Sequence, residues 1–185
     1  MRQPNLSFLA DPRLQHVMGA LEEAGFEALV VGGAARDGLL GQTPKDIDLA
    51  TNAHPDRVGA VLSAAGADMR PTGLAHGTWT AMVGGEGFEI TTYRRDVSTD
   101  GRRATVAFAS SFEEDAQRRD FTINALGLTR KGEARDPTGE GLDDLDRRRV
   151  RFVGDGATRC AEDSLRALRL FRFQGRLGAW PMDQG

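Results

Sequence analysis

One stretch of the sequence, residues 29–51, constrains the fold more than any other part of the chain. Its pattern predicts four elements in order: a short buried strand over Leu29–Val31, a turn at Gly32-Gly33, a helix that opens with Ala34 and stops at Gly41, and a second strand from Asp46. Glycines, a cation and paired carboxylates all occur within these elements. The stretch therefore predicts two neighbouring sites, one for an anion and one for a metal ion.

The anion site is predicted at the Gly32-Gly33 turn. Neither glycine carries a Cβ, so backbone N–H groups at the start of the helix can approach a phosphate closely. Arg36 adds a fixed cation at the same place. The alternative is a tight turn without a ligand, which is the commoner meaning of two glycines before a helix.

The metal site is predicted at Asp46 and Asp48. Side chains alternate along a strand, so two carboxylates two residues apart leave the same face and can share a hard divalent cation. The alternative is a solvated strand end. A phosphate site beside a metal site describes a nucleoside triphosphate held with magnesium, and the pairing favours function over either ordinary alternative.

A third acidic position, Glu89, lies in a predicted strand over 87–93 that forms a hairpin with a strand over 78–83. Phe88 and Ile90 face one side of this strand and Glu89 faces the other. A cation bound by Asp46 and Asp48 would supply the partner that a buried carboxylate needs. An exposed glutamate on the wet face of a sheet explains the pattern equally well.

Positive charge is concentrated in the second half of the chain. Residues 1–93 carry a net charge of −5 and residues 94–185 a net charge of +2. Arginine, which greatly outnumbers lysine, suits phosphates and base edges, although codon bias produces the same composition. The charge-rich segment 94–111 predicts either a mobile lid beside the phosphate site or an ordinary hairpin.

Two later segments supply further polar candidates. In residues 116–125, Asp120 is placed to cap a turn at Thr122 or Ile123, with Arg119 at the same corner. From Thr158 the pattern is helical, and Asp163, Arg166 and Arg169 follow one another at intervals of three residues. An intrahelical ion pair is the simple explanation. Apolar residues all round this helix instead predict cover on several sides, with its arginines at an internal cleft.

Other features bound the location and class of the protein. The 185 residues contain no apolar run of signal-peptide or membrane-span length, so we expect a cytoplasmic protein without a membrane partner. The single cysteine, Cys160, has no metal-ligand spacing around it and is interpreted as helix packing.

Four separate blocks follow one another along the sequence: Gly-Gly-Ala-Ala-Arg-Asp with Asp-Ile-Asp, then Phe-Glu-Ile-Thr-Thr-Tyr-Arg, then Arg-Arg-Asp-Phe-Thr-Ile-Asn-Ala, then Glu-Asp-Ser-Leu-Arg-Ala-Leu-Arg. Together they resemble the class II nucleotidyltransferases, which include CCA-adding enzymes (tRNA nucleotidyltransferases) and bacterial poly(A) polymerases. The resemblance covers about residues 29–173. It implies an α+β fold, with a small mixed or antiparallel sheet flanked by helices over 1–145, the head, and the start of an all-helical neck over 146–185.

The resemblance also implies roles for individual residues. Asp46 and Asp48 would bind two Mg2+ ions, with Glu89 matching the third acidic position. Asp163 and Arg166 would recognise the base of the incoming nucleotide. The full set of nucleotide-binding positions implied is Gly32, Gly33, Arg36, Arg119, Asp120, Asn124, Asp163, Arg166, Arg169 and Arg172.

The implied reaction is the addition of C and A residues from CTP and ATP to the 3′ end of tRNA. An RNA 3′-hydroxyl attacks the α-phosphorus and pyrophosphate leaves, and two metal ions make a His or Lys base unnecessary. Cytosine and adenine both present an exocyclic amine beside an unprotonated ring nitrogen, so one carboxylate and one guanidinium can accept both.

Three alternatives remain at this point. The segment Arg70-Pro-Thr-Gly-Leu-Ala-His-Gly-Thr78 resembles the CCA-adding branch, and poly(A) addition to RNA 3′ ends is the second reading. A non-catalytic nucleotide- or RNA-binding fragment is the third. Family members extend well beyond residue 185 with a helical body and tail that hold the tRNA. The expectation is therefore a truncated chain, or a partner chain that supplies the missing surface.

Overall fold

The computed structural model describes residues 3–73, 76–99, 104–162 and 165–177. Within these ranges, a seven-stranded mixed sheet forms the centre of the molecule, in the order β3-β4-β5-β2-β1-β8-β9. Every neighbouring pair is antiparallel except β2 with β5, which is parallel. The strands of this sheet are β1 (Ala28–Val31), β2 (Asp48–Thr51), β3 (Asp68–Gly73), β4 (Thr78–Val83), β5 (Glu86–Thr92), β8 (Gly127–Leu128) and β9 (Ala134–Arg135).

Helices cover the sheet and extend the chain beyond it. No helix among the described residues is long and apolar enough to cross a membrane. A 3-10 turn over Ser7–Ala10 precedes the first α-helix, and another over Thr122–Asn124 precedes β8. The α-helices are α1 (Pro12–Glu23), α2 (Gly32–Leu39), α3 (Pro55–Ala64), α4 (Phe112–Gln117), α5 (Gly141–Asp146), α6 (Gly156–Glu162) and α7 (Leu165–Leu177).

The start of α1 follows directly from its sequence. The Asp11 side chain accepts a hydrogen bond from the Arg13 backbone N–H at 2.8 Å, and Pro12 occupies the first turn, where its missing N–H leaves no bond unmade. One face of the helix is buried at the spacing of an amphipathic helix. The buried residues of that face are Leu14, Val17, Met18 and Leu21.

The predicted strand at 29–31 is β1, which is buried along its whole length. Gly32 has φ +63°, a backbone conformation that residues with a Cβ rarely adopt. This conformation turns the chain from β1 directly into α2. The helix therefore begins two residues before the predicted Ala34. The predicted second strand is also shorter than expected, because β2 begins at Asp48 and Asp46 lies in the preceding bend.

The charged segment after β5 forms a two-stranded hairpin, β6 (Arg94–Thr99) with β7 (Ala104–Phe108). Its base is fixed by two backbone N–H donors, since Ala109 N–H donates to the Tyr93 carbonyl at 2.7 Å and Arg94 N–H donates to the side-chain Oδ1 of Asp115 at 3.0 Å. The tip of the predicted lid, residues 100–103, lies outside the described residues. The choice between a lid and an ordinary hairpin stays open.

Contacts join the predicted head to the residues that follow it. Phe121 forms an isolated antiparallel bridge with Phe152, and their rings lie 5.0 Å apart. Phe173 of α7 packs edge-on against Phe121 at 5.2 Å. One core thus contains side chains from both sides of the predicted boundary at residues 145 and 146, and the boundary itself stays a prediction.

The buried carboxylate of Asp144 stabilises this junction. It accepts hydrogen bonds from Thr122 Oγ1 at 2.6 Å, from Arg149 Nε at 2.7 Å and from Arg151 Nε and Nη2 at 2.9 and 2.8 Å. Burial opposes ionisation, but the hydrogen bonds from Arg151, Thr122 and Arg149 outweigh it and lower the pKa of Asp144. The ionised side chain therefore ties α5 to the segment that leads to the neck.

We expect Asp144→Asn to lower the free energy of unfolding by about 3 kcal/mol near pH 7, because it leaves two arginines without their buried anion. A carboxyl whose pKa is lowered by folding stabilises the fold above its ordinary pKa and loses that contribution as the pH falls through its folded pKa. The deficit of the variant should therefore shrink in acid. Urea denaturation of the wild type and the variant at several pH values measures this deficit.

The control is the neighbouring Asp143→Asn, which removes a more exposed carboxylate and should lose less than about 1 kcal/mol of unfolding free energy. Equal losses in the two variants would contradict this role.

Candidate active site

Two carboxylates lie side by side at the centre of the sheet. In the parallel pairing of β2 with β5, Asp48 stands opposite Glu89. Phe88 and Ile90 are buried in the core, so the alternation of the strand turns Glu89 to the opposite, exposed face. The predicted division of β5 into an apolar and an acidic face is confirmed.

Asp46 reaches the same region from a different element. The prediction that Asp46 and Asp48 share one strand is wrong, because β1 turns into α2 at Gly32, its ladder with β2 ends at Asp48, and β2 begins there. Asp46, Asp48 and Glu89 nevertheless line one cavity of about 480 Å3. The other residues of its wall are Asp11, Arg13, Lys45, Ile47, Glu86, Gly87 and Phe88.

The pKa of Asp48 is affected by the charged side chains that lie near it. Partial burial of its carboxyl and the negative charges of Glu89 and Asp46 raise the pKa of Asp48, while the positive charge of Arg119 opposes the rise. The three acidic side chains and one arginine therefore act on one another across this cavity. Like charges held together in this way favour a cation between them.

The donor set suits a hard divalent ion that arrives with its substrate. Among the described residues, no three Asp, Glu, His or Cys side chains converge as a preformed metal cage. Mg2+ seldom requires one, since it usually binds one or two carboxylates and completes its shell with water and substrate phosphates. The carboxylate oxygens of this cavity repel one another, so they are suitable ligands for Mg2+.

Arg119 is a cation that stands beside the glycine turn, and Arg36 Nη2 also lies near it, 3.7 Å from a Cβ built on Gly33. A Cβ built on Gly32 would lie 3.5 Å from Arg119 Nη1. The guanidinium is oriented by Asp115, whose Oδ2 accepts from Nε at 3.0 Å and from Nη2 at 2.7 Å, and by the Asn124 carbonyl, which accepts from Nη1 at 3.3 Å. The predicted phosphate site thus contains a fixed arginine between the glycines and the acidic cavity.

Arg36 does not present its charge as the sequence predicted. Its side chain is 1% exposed, its Nε and Nη2 donate to Asp37 Oδ1 at 2.9 and 2.7 Å, and its Nη1 donates to Asn124 Oδ1 at 2.6 Å. The Phe173 ring covers the guanidinium at 5.1 Å. Arg36 therefore points into the interior of the molecule, where it positions Asn124.

A continuous polar network extends from Arg36 to the neck. Asn124 Nδ2 donates to Asp120 Oδ1 at 3.0 Å, and Asp120 Oδ2 lies 2.8 Å from Arg169 Nη2. The second contact is ionic, since Oδ2 accepts no well-aligned hydrogen bond from the described groups. Asp120 Oδ1 also accepts from the Phe121 N–H at 2.8 Å, so it does not cap the turn at Thr122 or Ile123 as predicted. The network joins Arg36, Asn124, Asp120 and Arg169, which are four predicted site residues.

The structure describes two of the three remaining predicted neck residues. Arg166 Nη1 donates to the Arg159 carbonyl at 3.3 Å, and Arg172 lies over the Phe173 ring at 6.0 Å. Asp163 lies outside the described residues. Phe173 is buried against the head, whereas Leu165 and Phe171 are exposed, so among the described residues the neck helix is covered on one side.

Sequence reasoning missed Asp115. This buried carboxylate holds the Arg119 guanidinium and also accepts the backbone N–H of Arg94 at the base of the hairpin. Its position four residues before Arg119 is the spacing of an intrahelical ion pair and could have revealed it.

Comparison with known proteins places this geometry in a family. The sequence profile of the poly(A) polymerase head domain matches residues 28–151. The mitochondrial CCA tRNA nucleotidyltransferase 1 of Danio rerio is 47% identical over 157 residues, which are 84% of this chain and 36% of that relative. The chain thus spans little more than a third of the length of this curated relative.

Two solved structures share the architecture. The crystal structure of the Bacillus stearothermophilus CCA-adding enzyme in complex with CTP is 35% identical with a TM-score of 0.82, and the match covers 93% of this chain and 40% of that chain. A tRNA nucleotidyltransferase complexed with a primer tRNA and an incoming ATP analog is 30% identical with a TM-score of 0.73, covering 91% and 46%. The predicted α+β fold, a mixed sheet flanked by helices, is confirmed.

We expect Asp48→Asn to stabilise the protein when divalent cations are absent. A carboxyl whose pKa is raised by folding destabilises the fold when ionised, and this effect disappears as the pH falls below its ordinary pKa of about 3.9. The variant should therefore unfold at a higher urea concentration than the wild type near pH 7, in EDTA, and the difference should vanish in acid. Asp68→Asn, which removes an exposed carboxylate on β3, should show no such gain. A loss of stability in Asp48→Asn at neutral pH would contradict the crowding of negative charge.

Proposed function

Because the chain belongs to the family of the poly(A) polymerase head domain, we propose that it carries the catalytic site of a CCA-adding tRNA nucleotidyltransferase. This activity transfers C and A residues from CTP and ATP to the 3′ end of tRNA and releases pyrophosphate. The observation that carries the proposal is the pairing of Asp48 with Glu89 across β2 and β5, with Arg119 and the Gly32 turn beside it.

Nucleotidyltransferases generally use a divalent metal ion, and the acidic cavity fits one. We assign Asp46 and Asp48 to two Mg2+ ions, with Glu89 beside them as the third carboxylate. Bound there, the metal would lower the pKa of the RNA 3′-hydroxyl and neutralise charge on the leaving pyrophosphate.

The residues of the chain itself would hold the triphosphate. Backbone N–H groups at the Gly32-Gly33 turn can approach a phosphate without obstruction by a Cβ, and Arg119 supplies a guanidinium whose direction Asp115 fixes. Asn124 and Asp120 lie behind Arg119 and would contact the nucleotide or orient the groups that do. Arg36 supports this shell from the interior through Asn124.

Recognition of the base is assigned to the neck. Asp163 would accept from the exocyclic amine that cytosine and adenine share, and Arg166 would donate to the unprotonated ring nitrogen beside it. Arg169 and Arg172 lie on the same helix, and the contact of Arg169 with Asp120 links base recognition to the triphosphate site. Uracil and guanine present the reverse pattern and would be refused.

The relatives favour CCA addition over poly(A) addition. The curated relative described above is named a CCA tRNA nucleotidyltransferase, and the similar structures are described as complexes with CTP and with a primer tRNA. A non-catalytic nucleotide-binding role is disfavoured because Asp46, Asp48 and Glu89 are all present. The substrates and the tRNA partner of the whole protein belong to this proposal.

The test is incorporation of labelled CTP and ATP, with Mg2+, into a tRNA that lacks its terminal CCA. We expect Asp48→Asn to reduce incorporation at least about a thousandfold, because metal ligation contributes several kcal/mol of transition-state stabilisation. Asp68→Asn is the matched control and should retain activity. Calorimetry of Mg2+-dependent CTP binding provides a second readout that requires no RNA.

Each outcome has a defined meaning. Full activity in Asp48→Asn would contradict the assignment of the site. Long adenosine tracts in the product would replace CCA addition with poly(A) addition. CTP binding in the wild type without Mg2+ dependence would contradict the proposed role of the metal.

A further inference from the structure

The helix α7 contacts the head along one of its faces. Arg169 and Phe173 are four residues apart on this helix, so their side chains lie on the same side, about one turn from each other. Phe173 is buried, and Leu170 and Leu177 are partly buried against the same core. This face of α7 is therefore fixed to the head at more than one place.

The first fixed contact is an ion pair between Arg169 and Asp120. Arg169 Nη2 lies 2.8 Å from Asp120 Oδ2, and the Asp120 side chain is only 5% exposed. The other oxygen of this carboxylate, Oδ1, accepts hydrogen bonds from Asn124 Nδ2 and from the Phe121 N–H. Because a buried carboxylate needs a compensating positive charge, the guanidinium of Arg169 neutralises Asp120.

The second fixed contact is made by Phe173. Its ring lies 5.1 Å from the guanidinium carbon of Arg36 and 5.2 Å from the ring of Phe121. Arg36 Nη1 in turn donates to Asn124 Oδ1 at 2.6 Å. Asn124 therefore receives both contacts of α7, one through Asp120 and the other through Arg36.

Asn124 also holds the arginine of the proposed triphosphate site. Its backbone carbonyl accepts a hydrogen bond from Arg119 Nη1 at 3.3 Å, and the same Nη1 would lie 3.5 Å from a Cβ built on Gly32. Only Asn124 and Asp120 thus stand between Arg119 and Arg169. Hydrogen bonds and one ion pair set the distance between the triphosphate site and α7.

We propose that Arg169 is a positioning residue that determines base selectivity, because it fixes the distance of α7 from the triphosphate site, and that it does not itself contact the nucleotide. The inference rests on the proposed function, in which Asp163 and Arg166 recognise the base. A nucleotide held by its triphosphate presents its base within a limited range of positions. Hydrogen bonds weaken steeply when their length or angle changes, so discrimination between bases depends on where α7 stands.

The test compares the affinities of the protein for CTP and for UTP in the presence of Mg2+, by titration calorimetry without RNA. The affinity for UTP is obtained from its competition with CTP. We expect Arg169→Gln to lower the ratio of CTP affinity to UTP affinity about tenfold, as for the loss of one hydrogen bond to a charged group. Both nucleotides carry the same triphosphate, so the unpaired charge left on Asp120 affects them equally and cancels in the ratio.

Two further variants separate selectivity from folding. Arg169→Lys keeps the positive charge but loses the planar fork, so its ratio should lie between those of the wild type and Arg169→Gln. This variant decides the question if Arg169→Gln does not fold. Asp120→Asn removes the partner of Arg169, and the addition of Arg169→Gln to it should change the ratio no further.

Arg70→Gln is the matched control, because it removes an exposed arginine on β3 that pairs with Asp68, and it should keep the wild-type ratio. Equal losses of CTP and UTP affinity in Arg169→Gln would assign Arg169 to a group that both nucleotides share and would overturn the proposal. The same fall of the ratio with and without the Asp120 carboxylate would also overturn it, since Arg169 would then act without its partner.

A failure of the proposed function gives a different result in the same experiment. The wild-type protein would then bind CTP and UTP equally, and the assigned base recognition would itself be wrong. A wild type that discriminates between the two nucleotides, with its ratio unchanged in Arg169→Gln, would contradict the positioning role of Arg169 alone.

Discussion

The parallel pairing of β2 with β5 places two carboxylates side by side, and the candidate site is arranged around their repulsion. Folding imposes this repulsion, because the core side chains Phe88 and Ile90 fix which face of β5 carries Glu89 and the ladder fixes its register against Asp48. The raised pKa of Asp48 is the electrostatic consequence. A divalent ion bound between these groups would relieve their electrostatic repulsion, and that relief would contribute to the free energy of binding the ion.

The second constraint is the polar network that joins this site to α7. Arg36 is buried under Phe173, and the hydrogen bonds through Asn124 and Asp120 continue to Arg169. A buried arginine without these partners would strongly destabilise the fold, so the contacts of the head and the start of the neck depend on one another. Arg119, which is proposed to hold the triphosphate, and Arg169 of α7 are therefore held in one connected structure.

Much of the fold follows from local sequence rules. The proline and aspartate that start α1, the glycines that turn β1 into α2 and the β4–β5 hairpin all carry their own signals. Two features were beyond local rules. Asp46 lies outside the strand because the length of a strand depends on partners that are distant in the chain. The burial of Arg36 could not be predicted locally either, because its partner Asn124 is 88 residues away. The alternation of side chains along a strand predicts which face each residue occupies, but it does not predict where the hydrogen bonding with the neighbouring strand ends.

The most direct test of the account is the binding of Mn2+, followed through the electron paramagnetic resonance signal of the free ion in the presence of CTP. The account predicts that the wild-type chain binds Mn2+, that Asp48→Asn weakens binding at least about tenfold, and that Asp68→Asn binds as the wild type does. Equal binding by the wild type and Asp48→Asn would contradict the proposal that Asp48, beside Glu89, binds the metal.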